Sequence, residues 1–264
     1  MIDAEIERRM SKRLKDQDEL KVVEGVLDPI TLKELYRLSN KGLFKALHGV
    51  VSSGKEANVY RGETEDGKSV AVKVYRVATA QREYMLEYLL GDPRYTRVPR
   101  QSKTIVPIWA MKEFRNLKLY SDAGIRVPKP IEVERNVLVM EFIGDAVNGV
   151  AAPLLRHVHL EEPELVYEQI LRFLIDAYRK AGLVHADLSE YNIIWYGGPV
   201  FIDVAQAVLR SHNNALQYLF RDIKNITNYF RKLGVETEEP TEILDMIVNP
   251  GETSDVDPRD NTSS

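Results

Sequence analysis

Residues 183–208 read LVHADLSEYNIIWYGGPVFIDVAQAV. Two short apolar runs flank the pair Gly197-Gly198, a spacing that predicts a β-hairpin. Asp187 precedes the hairpin, Asn192 follows it at five residues, and Asp203 stands sixteen residues after Asp187, behind Phe201-Ile202. A bent hairpin can bring the loop before it close to the residue at its end. Asp187 could then accept a proton from an attacking hydroxyl or orient it. Asn192 and Asp203 could offer oxygens to Mg²⁺, a hard ion that keeps some of its waters. Phosphoryl transfer asks mainly for such positioning and charge compensation. Taken singly, the same residues also read as turn-forming Asp and Asn beside a hairpin. His185, after Leu183-Val184, reads as a structural histidine that braces the loop.

Toward the N-terminus, Gly49 and Gly54-Lys55 nearly match a Walker phosphate loop, but Glu56 stands where a magnesium-binding hydroxyl is needed. The segment also runs into Val59-Tyr60-Arg61, a strand and not a helix. The remaining readings are an ordinary hairpin tip and a glycine turn laid over phosphates. Small Ser52, Ser53, Gly54 and Ala57 permit close backbone approach, and backbone N–H groups could face a phosphate. Lys73 sits inside the apolar run AVKVYR, where a lysine must snorkel outward or meet an anion. Glu113, on the next strong helix, is the acid that could face it; alone, Glu113 also reads as a solvated residue.

The flanking sequence predicts a charged helix over 3–17 and a connection over 18–30. A further helix opens on a Thr31/Glu34 capping box and stops at Asn40 and Gly42. Strands are expected over 44–51, at 59–61, over 69–77 and in a hairpin over 131–142. Residues 77–108 carry a short helix near 84–90 and otherwise no fixed element, and a helix runs from about Ile108 to Ala123. In the second half, a helix opens at Glu161-Glu162-Pro163, with an apolar stripe of Leu165, Val166, Ile170, Phe173, Leu174 and Ala177. Another covers 213–232, with Leu216, Leu219, Phe220, Ile223 and Ile226 facing inward. A last short helix is expected over 236–247, followed by a polar, disordered tail.

The 264 residues contain no cysteine, which excludes disulfides, zinc-thiolate sites and iron–sulfur clusters and suits a reducing, cytoplasmic interior. No run of 18 apolar residues is present, so no membrane helix is expected, and the polar start lacks a signal peptide's apolar core. The net charge of -4 divides unevenly. From Glu236 onward nine acids face one base, and between Lys73 and Lys118 ten bases face four acids. A locally basic upper body and an acidic tail leave nucleic-acid contact open.

The order of these motifs resembles protein kinases, and closely resembles the atypical RIO family. The resemblance rests on SSGKEANVY (52–60), AVKVYR (71–76), KEFRNL (112–117), LVMEFIG (138–144), VHADLSEYNI (184–193) and FIDVAQAV (201–208), with HNNALQYLFRDIKNITNYF (212–230) in support. It covers roughly 44–235 and favours the Rio1-like branch, because the other branch usually carries a winged-helix module ahead of its kinase domain. The compact length suggests an archaeal version.

The resemblance implies an α+β, bilobal protein-kinase-like fold, with a small β-rich N-lobe, a mostly helical C-lobe and no conventional activation segment. The divisions would be an N-terminal helical extension (1–43), an N-lobe (44–144) with a mobile insert at about 77–108, a C-lobe (145–248) and a disordered acidic tail (249–264). Lys73 would contact the α/β phosphates of ATP and pair with Glu113. Ser52, Ser53, Gly54, Lys55, Glu56, Ala57 and Asn58 would cover the phosphates. Met140 would line the adenine pocket, and Glu141 and Ile143 would offer hinge backbone groups. Asp187 would be catalytic, and Asn192 and Asp203 would bind Mg²⁺ or Mn²⁺.

The sequence departs from ordinary kinases in having one loop glycine, no arginine between His185 and Asp187, and Val204-Ala205 in place of Phe-Gly. These are traits of the RIO family. The implied activity is ATP-dependent phosphorylation of serine, including autophosphorylation, in small ribosomal subunit maturation. The alternative is an ATPase switch in which Asp203 accepts the phosphate. The implied partners are a pre-small-subunit particle, its rRNA or ribosomal proteins. Arg94, Arg97, Arg100 and Lys103 of the insert would meet RNA phosphate or a ribosomal protein, or line a solvated loop.

Overall fold

The computed structural model describes residues 27–77, 81–98 and 101–249. The helix expected over 3–17 and the tail beyond Asn249 lie outside the described residues. The small lobe is a five-stranded antiparallel sheet in the order β1-β2-β3-β5-β4. Its strands are β1 (Ala46–Ser53), β2 (Ala57–Glu63), β3 (Ser69–Tyr75), β4 (Pro130–Glu134) and β5 (Val137–Glu141). Side chains alternate across a strand. Val70, Val72 and Val74 of β3 therefore join Val137 and Val139 beneath α1 (Pro29–Asn40), whose Leu35 and Leu38 complete that cluster. Ala71, Lys73 and Tyr75 face the other way, toward the interior of the molecule.

The α1 cap differs from the expected Thr31/Glu34 box. Asp28 is the N-cap, accepting from the N–H groups of Ile30 and Thr31 at 3.1 Å each, and Thr31 Oγ1 donates to it as well. Asp28 sets the boundary because its carboxylate satisfies two orphan donors, where a threonine hydroxyl satisfies one.

The expected mobile insert also contains regular structure. Helix α2 (Arg82–Leu89) lies within it, and α3 (Ser102–Asp122) begins six residues before Ile108 and runs through Pro107. Proline lacks the N–H for the bond to Lys103. Burial outweighs that loss, since Ile105, Val106, Trp109 and Ala110 are all fully buried. Gly124 (φ 75°) ends this helix where expected.

Beyond β5 the chain turns through a short hairpin, β6 (Gly144–Asp145) and β7 (Val150–Ala151), into the large lobe. Gly144 has φ 142°, and a Cβ there would stand 2.3 Å from the Val150 carbonyl, so only glycine fits. Helix α4 (Pro163–Asp176) continues as a π-turn to Gly182, followed by β8 (Leu183–Val184), β9 (Ile193–Trp195), β10 (Pro199–Phe201) and β11 (Val208–Leu209). β9 and β10 form the hairpin expected around Gly197-Gly198. Helices α5 (Ala215–Lys232) and α6 (Pro240–Val248) close the lobe. Two expected core positions, Leu165 and Leu216, are each 49% exposed. Tyr167, Tyr218 and Phe230 fill the interior instead. No described helix is long and apolar enough to cross a membrane.

Candidate active site

Lys73 lies in the middle of β3, paired with Val59 of β2 on one side and Leu138 of β5 on the other. It is therefore on a central strand, and its side chain is buried on the face that α3 covers. Lys73 Nζ stands 2.7 Å from Glu113 Oε1 and 2.6 Å from Asp203 Oδ1. The second Glu113 oxygen accepts from the Tyr75 hydroxyl, and Glu113 itself is 1% exposed, so it is no solvated helix residue. Burial opposes the lysine charge, but Asp203 and Glu113 outweigh it and lift the Lys73 pKa well above its ordinary value. The Lys73 ammonium in turn lowers the pKa of the Asp203 carboxyl, against the effect of burial.

The opposite wall is the loop between β8 and β9. Ala186 adopts φ 67° and Asp203 φ 58°, left-handed conformations that each cost about 1–2 kcal/mol in non-glycine residues. The loop is pinned from α5. Asp222 accepts from the Ala186 and Leu188 N–H groups at 2.7 and 2.8 Å, and Arg221 donates to the Ala186 carbonyl. Burial pushes the Asp222 pKa up to about 8, although both backbone donors oppose the shift. Asn192 Nδ2 donates to the Asp187 carbonyl at 2.7 Å and to its Oδ2 at 3.2 Å. Burial raises the Asp187 pKa, with Arg221 and Asn192 opposing. His185 is the bracing residue expected: it is buried, with Nε2 3.0 Å from the Ile202 carbonyl. Burial lowers its pKa to about 4.

Between the walls is a cavity of about 510 Å³. Gly54, Lys55, Glu56 and Ala57 border it above, and Lys73, Asn192, Asp203 and Gln206 border its depth. A neighbouring cavity of about 360 Å³ shares Ser52, Val59, Lys73 and Asp203 and runs to Met140, Glu141 and Ile143. Two expected loop residues turn away. Ser53 donates to Asn58 Oδ1 at 2.9 Å, and Arg76 donates to the same oxygen at 2.7 Å, so this trio ties the two strands together next to the turn and does not border either cavity. The Glu141 carboxylate is held by Arg126 at 2.9 and 3.0 Å. Glu56 points inward, where Trp109 Nε1 donates to it at 3.2 Å, and burial raises its pKa.

Sequence reading missed several of the polar groups that shape this site. On α3, Lys112 donates to the Ala205 and Ala207 carbonyls at 2.6 and 2.5 Å, and Asn116 donates to those of Val204 and Ala207. These bonds clamp the chain after Asp203 directly into β11, where an activation segment would otherwise begin. Burial holds the Lys112 pKa well below its ordinary value. Arg94, expected either to meet a partner or to line a solvated loop, instead pairs with buried Asp92 at 2.7 Å and donates to Asn116 at 2.8 Å. Asp222 did leave a signal, being an acid at core-facing helical spacing between Leu219 and Ile226. Lys112 and Asn116, at i and i+4 on one helix, left a similar one.

A two-lobed chain with a lysine–glutamate pair above such a cleft has a protein-kinase-like fold, here without an activation segment. Comparison bears this out. The chain resembles the Rio2 kinase–ADP/Mg²⁺–phosphoaspartate complex from Chaetomium thermophilum, with a TM-score of 0.64 and 20% identity over 85% of this chain and 71% of that one. The model of the RIO domain matches residues 58–243. The chain is 42% identical to the RIO-type serine/threonine-protein kinase Rio1 of Haloferax volcanii, covering 93% of this chain and 84% of that protein. It is 36% identical to human serine/threonine-protein kinase RIO1, covering 91% of this chain but only 43% of the relative. The chain belongs to the RIO family of atypical serine/threonine kinases, on its Rio1-like branch.

Proposed function

We propose that this kinase transfers the γ-phosphoryl group of ATP to a protein serine, its own included, and that it serves in maturation of the small ribosomal subunit. The observation that carries the catalytic reading is the position of Lys73 Nζ, within 2.7 Å of carboxylates from both Glu113 and Asp203, at the edge of the cavity bordered by the glycine turn. Lys73 would draw the α/β phosphates, and Glu113 would fix its ammonium. The turn made by Gly54, Lys55, Glu56 and Ala57 would cover the phosphates. A Cβ on Gly54 would meet only the Ala57 carbonyl, at an ordinary 3.5 Å, so the fold itself does not demand glycine there; close approach of a ligand would. Met140 would border the adenine. The Ile143 carbonyl accepts from Ala152, which leaves the Ile143 N–H as its hinge group, beside the Glu141 backbone.

Asp187 would orient the attacking hydroxyl and take its proton. Asn192 spends its NH₂ group on Asp187, so its oxygen is left for a cation, and the Asp203 side chain is 48% exposed with one oxygen off Lys73. Two hard oxygens suit Mg²⁺, or Mn²⁺, completed by phosphate oxygens and water. Among the described residues no cluster of three or more His, Asp or Glu side chains could hold a metal by itself. When bound, the ion supplies charge neutralisation of the phosphate oxygens.

A second reading shares the site. The chain after Asp203 is clamped by Lys112 and Asn116 and offers no peptide-docking segment, which favours slow ATP turnover as a ribosome-release switch with Asp203 as the phosphate acceptor. The phosphoaspartate of the Chaetomium Rio2 complex belongs to that protein and supplies the precedent. In the insert, Arg97 and Lys103 are exposed and remain free for rRNA or a ribosomal protein; Arg94 is engaged internally, and Arg100 lies outside the described residues. Incubation with γ-labelled ATP and Mg²⁺, followed by phosphoamino-acid analysis, tests the first reading. Labelled serine that disappears in Asp187→Asn supports it, and undiminished labelling in that variant removes Asp187 from its role.

A further inference from the structure

We infer that Gln206 is the residue that positions Asp187, and that Tyr84 of α2 acts on Asp187 through it. The inference rests on the phosphotransfer reading of Asp187. Gln206 is buried, 8% exposed, and borders the cavity three residues after Asp203. Its Nε2 lies 2.9 Å from the Tyr84 hydroxyl and 3.4 Å from Asp187 Oδ2. The orientation of the amide follows from chemistry. An amide oxygen in that place would set its lone pairs against a carboxylate, so the NH₂ group faces both acceptors and divides its two hydrogens between them.

Asn192 donates to the same carboxylate oxygen, Oδ2, at 3.2 Å. Two amides, those of Asn192 and Gln206, thus donate to one oxygen of Asp187 and leave Oδ1 for the attacking hydroxyl. A carboxylate fixed at one oxygen keeps the other in a single direction, which is what proton abstraction needs. Tyr84 is itself held in place. Its ring meets Tyr88 edge-on at 5.1 Å and Trp109 at 6.3 Å, and Trp109 donates to Glu56 above the cavity. A continuous line of contacts therefore runs from the turn over the cavity, through Trp109 and α2, to the Asp187 carboxylate. Helix α2 lies in the segment where sequence reading expected no fixed structure apart from a short helix.

The test uses the full chain and three variants: Tyr84→Phe, Gln206→Met and the two combined. ATP affinity is measured by titration, and transfer of labelled γ-phosphate in a single turnover. Gln206→Met keeps length and bulk but has no donor, so transfer is expected to slow about ten- to a hundredfold with ATP affinity within about twofold. Tyr84→Phe removes only the oxygen that Gln206 holds and is expected to slow transfer about three- to tenfold. The double variant should be no slower than Gln206→Met, because Tyr84 acts only through Gln206. Additive losses, a matching fall in ATP affinity, or an unchanged rate in either single variant would overturn the inference. One further readout needs no turnover and separates this inference from the phosphotransfer reading. The Gln206 side-chain amide resonances should move in both Tyr84→Phe and Asp187→Asn, and resonances that stay fixed contradict the contact even in a chain that transfers nothing.

Discussion

Asp222 accepts the backbone N–H of Ala186 at 2.7 Å, and through that bond a residue of α5 shapes the loop that carries Asp187. Its other oxygen takes the Leu188 N–H, so the two donors flank Asp187 on both sides. Ala186 is held at φ 67°, a conformation that would relax if its anchor were lost.

Asp222→Asn keeps one acceptor oxygen and turns an NH₂ group against the second backbone donor. The expected cost is about 1–3 kcal/mol of stability, the penalty for one buried unsatisfied donor. Phosphotransfer should fall more steeply than ATP affinity, because Lys73 and the glycine turn are untouched. Denaturant unfolding and ATP titration on the same preparation check both parts. A variant with full transfer activity would show that the loop keeps its shape without this anchor.

Gly54 separates folding from binding. Its φ is not left-handed, and an added Cβ meets nothing closer than 3.5 Å. Gly54→Ala is therefore expected to leave the thermal midpoint within about 2 °C of the parent while weakening ATP binding about tenfold or more. A large drop in stability with intact binding would reverse the assignment.

His185 gives the chain a pH dependence of known sign. Burial depresses its folded pKa to about 4, with the Ile202 carbonyl and Asp203 opposing. The unfolded chain takes up a proton near pH 6.5, so the contribution of this group is fully present above that value. It is lost progressively as pH falls toward 4. Between pH 7 and pH 5 the loss attributable to His185 is about 2 kcal/mol. Urea unfolding at the two pH values should therefore show a smaller acid-side loss in His185→Gln than in the parent. Equal losses would mean that folding leaves the His185 pKa near its unfolded value.

How much of this could be read from the sequence depended on the range of the interaction. The β9–β10 hairpin was legible because two glycines sit between apolar runs, whereas the run SVAVKVY of β3 is buried along its whole length and carries no alternation that tells which way Lys73 points. The pairing of Lys73 with Glu113 was accessible as a matter of need, since a lysine inside an apolar strand requires an anion. The start of α3 was not legible. Pro107 and the polar residues before it carry a local signal against helix, and only the burial of Ile105 and Trp109 overrides it. The α1 cap was misassigned because Asp28 and Thr31 are both good caps, and the choice turned on how many backbone donors each could reach. Asp222 and Lys112 act on segments 34 to 95 residues away, and no spacing rule links an acid on α5 to a loop after β8. Arg94 looked like a free surface charge because its partner, Asp92, is buried only once the chain folds.

The central claim is that one nucleotide is gripped from both lobes, by Lys73 above and by Asn192 and Asp203 below. Calorimetric titration of ATP into the intact chain, with and without Mg²⁺, tests it most directly when repeated on Lys73→Met and Asn192→Leu. A single saturable site is expected. Lys73→Met should weaken it about tenfold or more, and Asn192→Leu should weaken it only when Mg²⁺ is present. Binding that is absent from the parent chain, or indifferent to both substitutions, would contradict the claim.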